Sequence, residues 1–257
     1  MWWRTVWLAI VAFFVTIPLA LLTLLIAAVK STSPLIDPVI RLWARVLVRG
    51  AGIELHTENV DRLDPAKRYI LVCNHYSYLD IPCILTAIPQ PIRFMAKVSL
   101  FKIPIFGWAL RRAGFIPIDR VNRRTAVKSF DLAASRIRAG NTIVIFPEEG
   151  RSKYREMKPF QRGAFLLAIK SEKTIVPMAL DSTFDIWPVG AFWNIRPGKV
   201  TLRIGTPIET AQLSVRDKDR LLNEAREQVQ TMLFGAAPAT CHPEPAKRGE
   251  GSPAGST

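Results

Sequence analysis

The segment Asn74-His75-Tyr76-Ser77-Tyr78-Leu79-Asp80 sets an imidazole and a carboxylate five positions apart, directly after the apolar run Tyr69–Cys73. Positions five apart lie well off one face of an ideal helix. His75 is therefore expected in a strand-to-helix turn, with Asp80 on the first helical turn reaching back to it. A carboxylate that accepts from one imidazole nitrogen fixes the tautomer and leaves the other nitrogen as a base. Taken alone, the spacing also fits a capped helix with a satisfied histidine. Ser77 is the alternative nucleophile, but the Gly-x-Ser-x-Gly elbow that would expose it is missing from the sequence.

A second polar cluster, Phe146-Pro147-Glu148-Glu149-Gly150-Arg151-Ser152, follows another apolar run. An arginine there can clamp a phosphate through two parallel hydrogen bonds; the bland reading is a Glu-Arg surface loop. Both clusters leave the ends of apolar runs, where open α/β sheets bind ligands. The stretch from Pro91 to Arg124 holds eight basic residues and one acidic residue, interleaved with Phe94, Phe101, Phe106 and Trp108. That mixture suits nucleic acid or an anionic lipid surface. A further aromatic group, Phe184, Trp187, Phe192 and Trp193, suits either an apolar groove or ordinary core.

The elements that must position these residues alternate. Short apolar runs at Tyr69–Cys73, Ile92–Ala96, Gly114–Ile118, Thr142–Phe146, Thr174–Met178 and Lys199–Ile204 read as strands. Helical stretches run from Ala126 to Ala139, stopped by Gly140, from Phe160 to Lys170, and from Arg216 to Phe234. The pattern predicts an α/β fold, a mixed, partly parallel sheet flanked by helices.

Upstream, no charged residue occurs from Trp7 to Val29, slightly more than the ~20 apolar residues that cross a bilayer core. A signal peptide would have a shorter apolar region, ~7–15 residues, and a small-residue cleavage site. The segment is expected to be a membrane helix, or a helical hairpin bent at Pro18. Trp2, Trp3 and Trp7 take interfacial positions. Pro38 to Arg49 reads as an amphipathic helix with Arg41, Arg45 and Arg49 in one stripe, either lying among headgroups or packed on the domain. Next to such a segment the basic surface, part of a net charge of +14 over 257 residues, points to anionic membrane lipids and away from nucleic acid. Basic residues after the segment place the bulk of the chain in the cytoplasm by the positive-inside rule. Three cysteines, Cys73, Cys83 and Cys241, give no disulfide framework. The expected organisation is an anchoring segment over 1–50, a catalytic domain over 51–235, and a disordered tail over 236–257, rich in Pro, Gly, Ala and Ser.

In its ordered blocks the chain resembles the glycerolipid acyltransferases of the 1-acylglycerol-3-phosphate acyltransferase type. The first block matches Asn-His-x-x-x-x-Asp in full; Gly114–Arg120, with its Asp119-Arg120 pair, is similar to the second. Phe146–Ser152 resembles the third, Phe-Pro-Glu-Gly-Thr-Arg-Ser, and Ile175–Met178 the fourth. The resemblance covers roughly residues 69–180 and implies His75 and Asp80 as catalytic pair, with Glu148 and Arg151 binding the acceptor. Lys97 and Arg120 are added as phosphate partners by charge. It implies transfer of a fatty acyl chain from a thioester, on coenzyme A or acyl carrier protein, to the sn-2 hydroxyl of 1-acylglycerol-3-phosphate at the inner membrane. Phosphatidic acid for phospholipid synthesis would result, without cofactor or metal. Glu149-Gly150 stands where the family has Gly-Thr. An extra carboxylate beside a phosphate site weakens anion binding unless it points away. Other readings are a different lysolipid acceptor, a transacylase, and a silent lipid-binding protein; the intact His75/Asp80 pair argues against the last.

Overall fold

The computed structural model describes residues 2–119, 123–191 and 193–235. Its centre is β2 (Ile70–Cys73), buried at every position. Parallel to it run β5 (Thr142–Ile145) on one side and β6 (Ile175–Asp181) on the other. β3 (Ile92–Lys97) and then β4 (Ile116–Ile118) continue beyond β5, again parallel. Beyond β6, β7 (Gly198–Ile204) pairs antiparallel, and β1 (Ile53–Glu58) closes the sheet parallel to β7. The order is therefore β1-β7-β6-β2-β5-β3-β4 in one seven-stranded mixed sheet, as the alternating pattern predicts. β1 is an edge strand with Glu54, Thr57 and Glu58 exposed. Its half-polar sequence carries no long apolar run, so the sequence reading passes over it.

Strand side chains alternate between two cores. Leu71, Cys73, Val144, Phe94, Val176 and Met178 face one, with α2 (Ile36–Gly50) and α3 (Asp80–Ala87). Ile70, Val72, Ile143, Ile145, Met95 and Ile175 face the other, with α5 (Arg123–Arg138), α6 (Gly163–Ser171) and α8 (Lys218–Phe234). Each fully buried Ile, Leu or Phe contributes about 1.5–3 kcal/mol over its exposed state. Both faces covered is what continuous apolar strands require. α7 (Thr183–Ile186) is a single turn after β6.

The N-terminal segment takes the first of its two readings, the helix. α1 (Trp2–Val29) is one continuous helix with Pro18 inside it, so the chain does not fold back there. It folds back between Lys30 and Leu35, where successive turns lead into α2. α1 and α2 then run antiparallel: Trp43 Nε1 donates to Thr16 at 2.9 Å, and Gly50 lies against Leu8 and Val11. A hairpin exists, but its second limb is the basic helix. That helix is packed on the domain, the second of its two readings: Ala44, Leu47 and Val48 are buried. Arg41 donates to the carbonyls of Ile88, Pro89 and Gln90. Asp37 pairs with the buried Arg93 at 2.6 Å. Arg45 and Arg49 stay exposed.

α4 (Phe106–Arg112) packs against α1 from the β3 side. Its sharp entry needs Gly107, since a Cβ there would sit 2.5 Å from the Phe101 carbonyl oxygen. The expected tail over 236–257, with Cys241, lies outside the described residues.

Candidate active site

β2, β5, β3 and β4 are parallel, so their C-terminal ends share one edge of the sheet. The first residue past β2 is Asn74, fully buried, whose amide donates to the Leu180 carbonyl at 2.9 Å and accepts from its N–H at 2.8 Å. That pair copies a ladder bond and ties the turn to β6. His75 follows, held by its backbone on both sides. Its N–H donates to Glu148 Oε1 at 2.9 Å, and its carbonyl accepts from Ser152 N–H at 2.9 Å. The ring stacks on Phe146, with centroids 4.0 Å apart and planes 14° from parallel.

Asp80 opens α3 and reaches back as expected: its Oδ2 lies 2.7 Å from His75 Nδ1 and also accepts from Tyr76 N–H and Ser77 N–H. It is completely buried, at the N-terminus of α3. A carboxylate only accepts, so Nδ1 carries the hydrogen and Nε2 keeps the lone pair. A nitrogen so placed can take a proton from a hydroxyl. Ser77 is buried, and its hydroxyl donates to the Trp187 carbonyl at 2.9 Å. It ties two loops together.

Glu148 is buried beside this turn. Oε1 takes the His75 N–H, and Oε2 takes the Lys158 N–H at 2.9 Å. Burial pushes its carboxyl up to about 7, against the pull of those two N–H groups and the Lys158 charge. The same burial pushes the Cys73 thiol well up, with Asp80 and Glu148 adding to it. Arg151 lays its guanidinium over the Tyr78 ring, 3.3 Å from the centroid, and Lys158 Nζ donates to the Arg151 carbonyl at 2.9 Å. Four of the expected site residues, His75, Asp80, Glu148 and Arg151, thus converge. Lys97 is exposed at the end of β3, on the same strand edge, and Arg120 lies outside the described residues. Glu149 takes a left-handed backbone, φ 55°, and lines a crevice with Met95, Ile118 and Phe130, side chains of the other core. It points away from the His75 side of the sheet. Asn74, Phe146 and Lys158 were not singled out as site residues from sequence. Asn74 and Phe146 stood inside the quoted blocks, and Lys158 in the Lys-Pro-Phe stretch after the third.

Tyr78 and Leu79, from the same turn, also border a cavity of about 280 Å³. Its walls come mainly from α1, α2, α3 and α4, with Leu8, Ala12, Trp43, Leu85 and Leu110 among them. Trp187 stands beside Tyr78 at one end, ring centroids 5.1 Å apart. Almost every lining group is carbon, so the cavity suits an alkyl chain.

An imidazole oriented by a buried carboxylate, beside an apolar cavity on an α/β sheet, is compatible with acyl transfer. Comparison with known proteins agrees: the family model described as Acyltransferase matches residues 53–181, and the chain belongs to that family. It is 34% identical over 169 residues to a 1-acyl-sn-glycerol-3-phosphate acyltransferase of Chlamydomonas reinhardtii, covering 66% of this chain and 49% of that one. With the alpha form from Mus musculus, identity is 27% over 216 residues, 84% of this chain and 76% of that one. The chain spans about half the length of the plant and algal relatives it matches. The fold is that of the crystal structure of the 1-acyl-sn-glycerophosphate acyltransferase PlsC from Thermotoga maritima, with a TM-score of 0.77. At 23% identity, that match covers 89% of this chain and 92% of the other.

Proposed function

We propose that this chain is a membrane-bound 1-acylglycerol-3-phosphate O-acyltransferase, transferring a fatty acyl group from a thioester to the sn-2 hydroxyl. His75 Nε2 takes the hydroxyl proton as the oxygen attacks the thioester carbonyl. The C–S bond then breaks, and the proton passes from the imidazolium to the leaving thiolate, which restores the base. No covalent enzyme intermediate is needed. Asp80 stabilises the imidazolium, and the acyl chain lies in the apolar cavity. Arg151, with Lys97 and Arg120, offers positive charge to the acceptor phosphate. The thioester is carried by coenzyme A or acyl carrier protein, and the product phosphatidic acid feeds phospholipid synthesis.

The observation that carries this reading is the 2.7 Å contact of His75 with Asp80, in a turn whose next residues border the alkyl cavity. Membrane attachment is supported by the outward face of α1, where Phe13, Phe14 and Leu25 are each more than 60% exposed. α1 packs on α2 and lines the cavity from Thr5 to Thr23. A helix fastened to the domain over that length fits best lying in one leaflet, its outer face among the acyl chains. Exposed Arg45 and Arg49 then meet anionic headgroups on the cytoplasmic side of the inner membrane.

The test is a panel of lysolipid acceptors, with and without a phosphate monoester, presented with one labelled acyl thioester to the wild type and His75→Ala. The wild type should prefer the phosphate-bearing acceptor, and the variant should lose about 1,000-fold or more in turnover while still binding vesicles. Substantial residual transfer by the variant sinks the base assignment. Indifference to the phosphate sinks the acceptor assignment.

A further inference from the structure

We infer that Glu148 is a positioning residue, which acts on the reaction through the backbone of His75 and does not touch the acceptor. The inference rests on the reading of His75 as the base, and it departs from the acceptor-binding role that the block resemblance implies for Glu148.

The argument is geometric. Glu148 is 5% exposed, so an acceptor hydroxyl or phosphate has almost no surface to approach. Each of its oxygens already takes a backbone N–H at 2.9 Å, one from His75 and one from Lys158. These two N–H groups belong to different loops, the turn after β2 and the loop between β5 and α6. The carboxylate therefore pins the base to the segment that carries Arg151, and Lys158 Nζ closes that segment on the Arg151 carbonyl. The Ser152 N–H to His75 carbonyl bond makes a second link between the same two loops. A neutral amide cannot replace the carboxylate: it has one acceptor end, and its NH₂ end would face an N–H donor. Misplacing a reacting group by about 1 Å costs roughly 100-fold in rate.

The charged and titratable groups around Glu148 are Asp80 and His75 from the turn and start of α3, Cys73 and Tyr76 beside them, and Lys158 from its own loop. Burial in this company holds the carboxyl near pH 7. Protonation below that pH turns one of its acceptors into a donor against an N–H, so acid should undo the pin.

The experiment uses the purified full-length chain in mixed micelles, comparing wild type with Glu148→Gln from about pH 5.5 to 9. The expected result is a kcat lowered about 10- to 100-fold, with the KM for the acceptor within about 2-fold of wild type. The acid limb of log kcat against pH should be shallower in the variant than in the wild type. A KM raised about 10-fold with kcat unchanged would assign Glu148 to the acceptor and overturn the inference. So would an acid slope that the substitution leaves unaltered. If the variant fails to fold, amide exchange on the wild type decides. The His75 and Lys158 amides should stay protected together when acceptor is added and lose protection together as pH falls through about 7. Release of either amide by acceptor overturns the inference. His75→Ala, assayed in parallel, separates the two readings: its turnover judges the base, whereas the KM of Glu148→Gln judges the acceptor contact.

Discussion

The turn after β2 and the cavity behind it sit side by side and are built on opposite plans. In the turn, the backbone N–H groups of His75, Tyr76 and Ser77 each have a carboxylate acceptor, and Asn74 is tied twice to Leu180. Position there is set by direction, and a single lost atom leaves a buried group unsatisfied. The cavity wall is almost all carbon, and two of its hydroxyls are taken up within the helices, Thr16 accepting from Trp43 and Thr23 donating to the Leu19 carbonyl. Position there is set by volume alone. The difference assigns the chemistry to a part that tolerates no exchange, and the size of the substrate to a part that can be repacked.

Substitutions can break or sharpen that contrast. The largest effect after His75 is expected at Asp80. In Asp80→Asn the amide oxygen can keep the three bonds that Oδ2 makes, because Oδ1 has no partner to lose. Geometry survives and charge does not, so kcat should fall about 100-fold or more with acyl-chain preference unchanged. A wild-type rate would show that the carboxylate does nothing for the imidazolium. Next comes Ala20→Phe, which puts a ring into the cavity from α1, where Ala20 is 6% exposed. It should cut transfer of the longest acyl chains about 10-fold relative to short ones and leave the pH profile alone. Equal loss for all lengths would mean the chain lies elsewhere. The smallest effect belongs to Glu149→Gly. It relieves a left-handed backbone at φ 55° and should raise stability by about 0.5–1 kcal/mol, seen as a higher Tm. The KM for a phosphate-bearing acceptor should not change, since this side chain borders the other core. A drop in that KM would put Glu149 back beside the phosphate.

Much of the turn was legible in the sequence because its logic is local. A buried apolar run, then His75, then Asp80 at the start of a helix, leaves little choice of geometry, and the ordered blocks fixed which strands carry it. The partners of Glu148 were not legible, because backbone N–H groups leave no mark on residue type. The same holds for Ser77, whose tie to Trp187 depends on a loop more than a hundred residues away. Pro18 left helix and hairpin both open for a physical reason: a proline removes one helical bond but breaks a helix only where neighbours allow it, and here α2 braces the segment. The stripe of Arg41, Arg45 and Arg49 left two readings open. Burial of Ala44 and the carbonyls at the end of α3 decided between them.

The wall that α1 gives to the cavity has a practical consequence for anyone wanting a soluble form of this enzyme. Removing residues 2–29 would spare the His75 turn, whose bonds all come from the domain. It would also unroof the cavity, from Thr5 at one end of the helix to Thr23 near the other. The truncated domain would keep its reactive atoms while its alkyl site became an open trench filled with water. Grafting a foreign anchor would restore attachment but not the roof. On the proposed function, the part that would grip the lipid and the part that would measure it are the same helix.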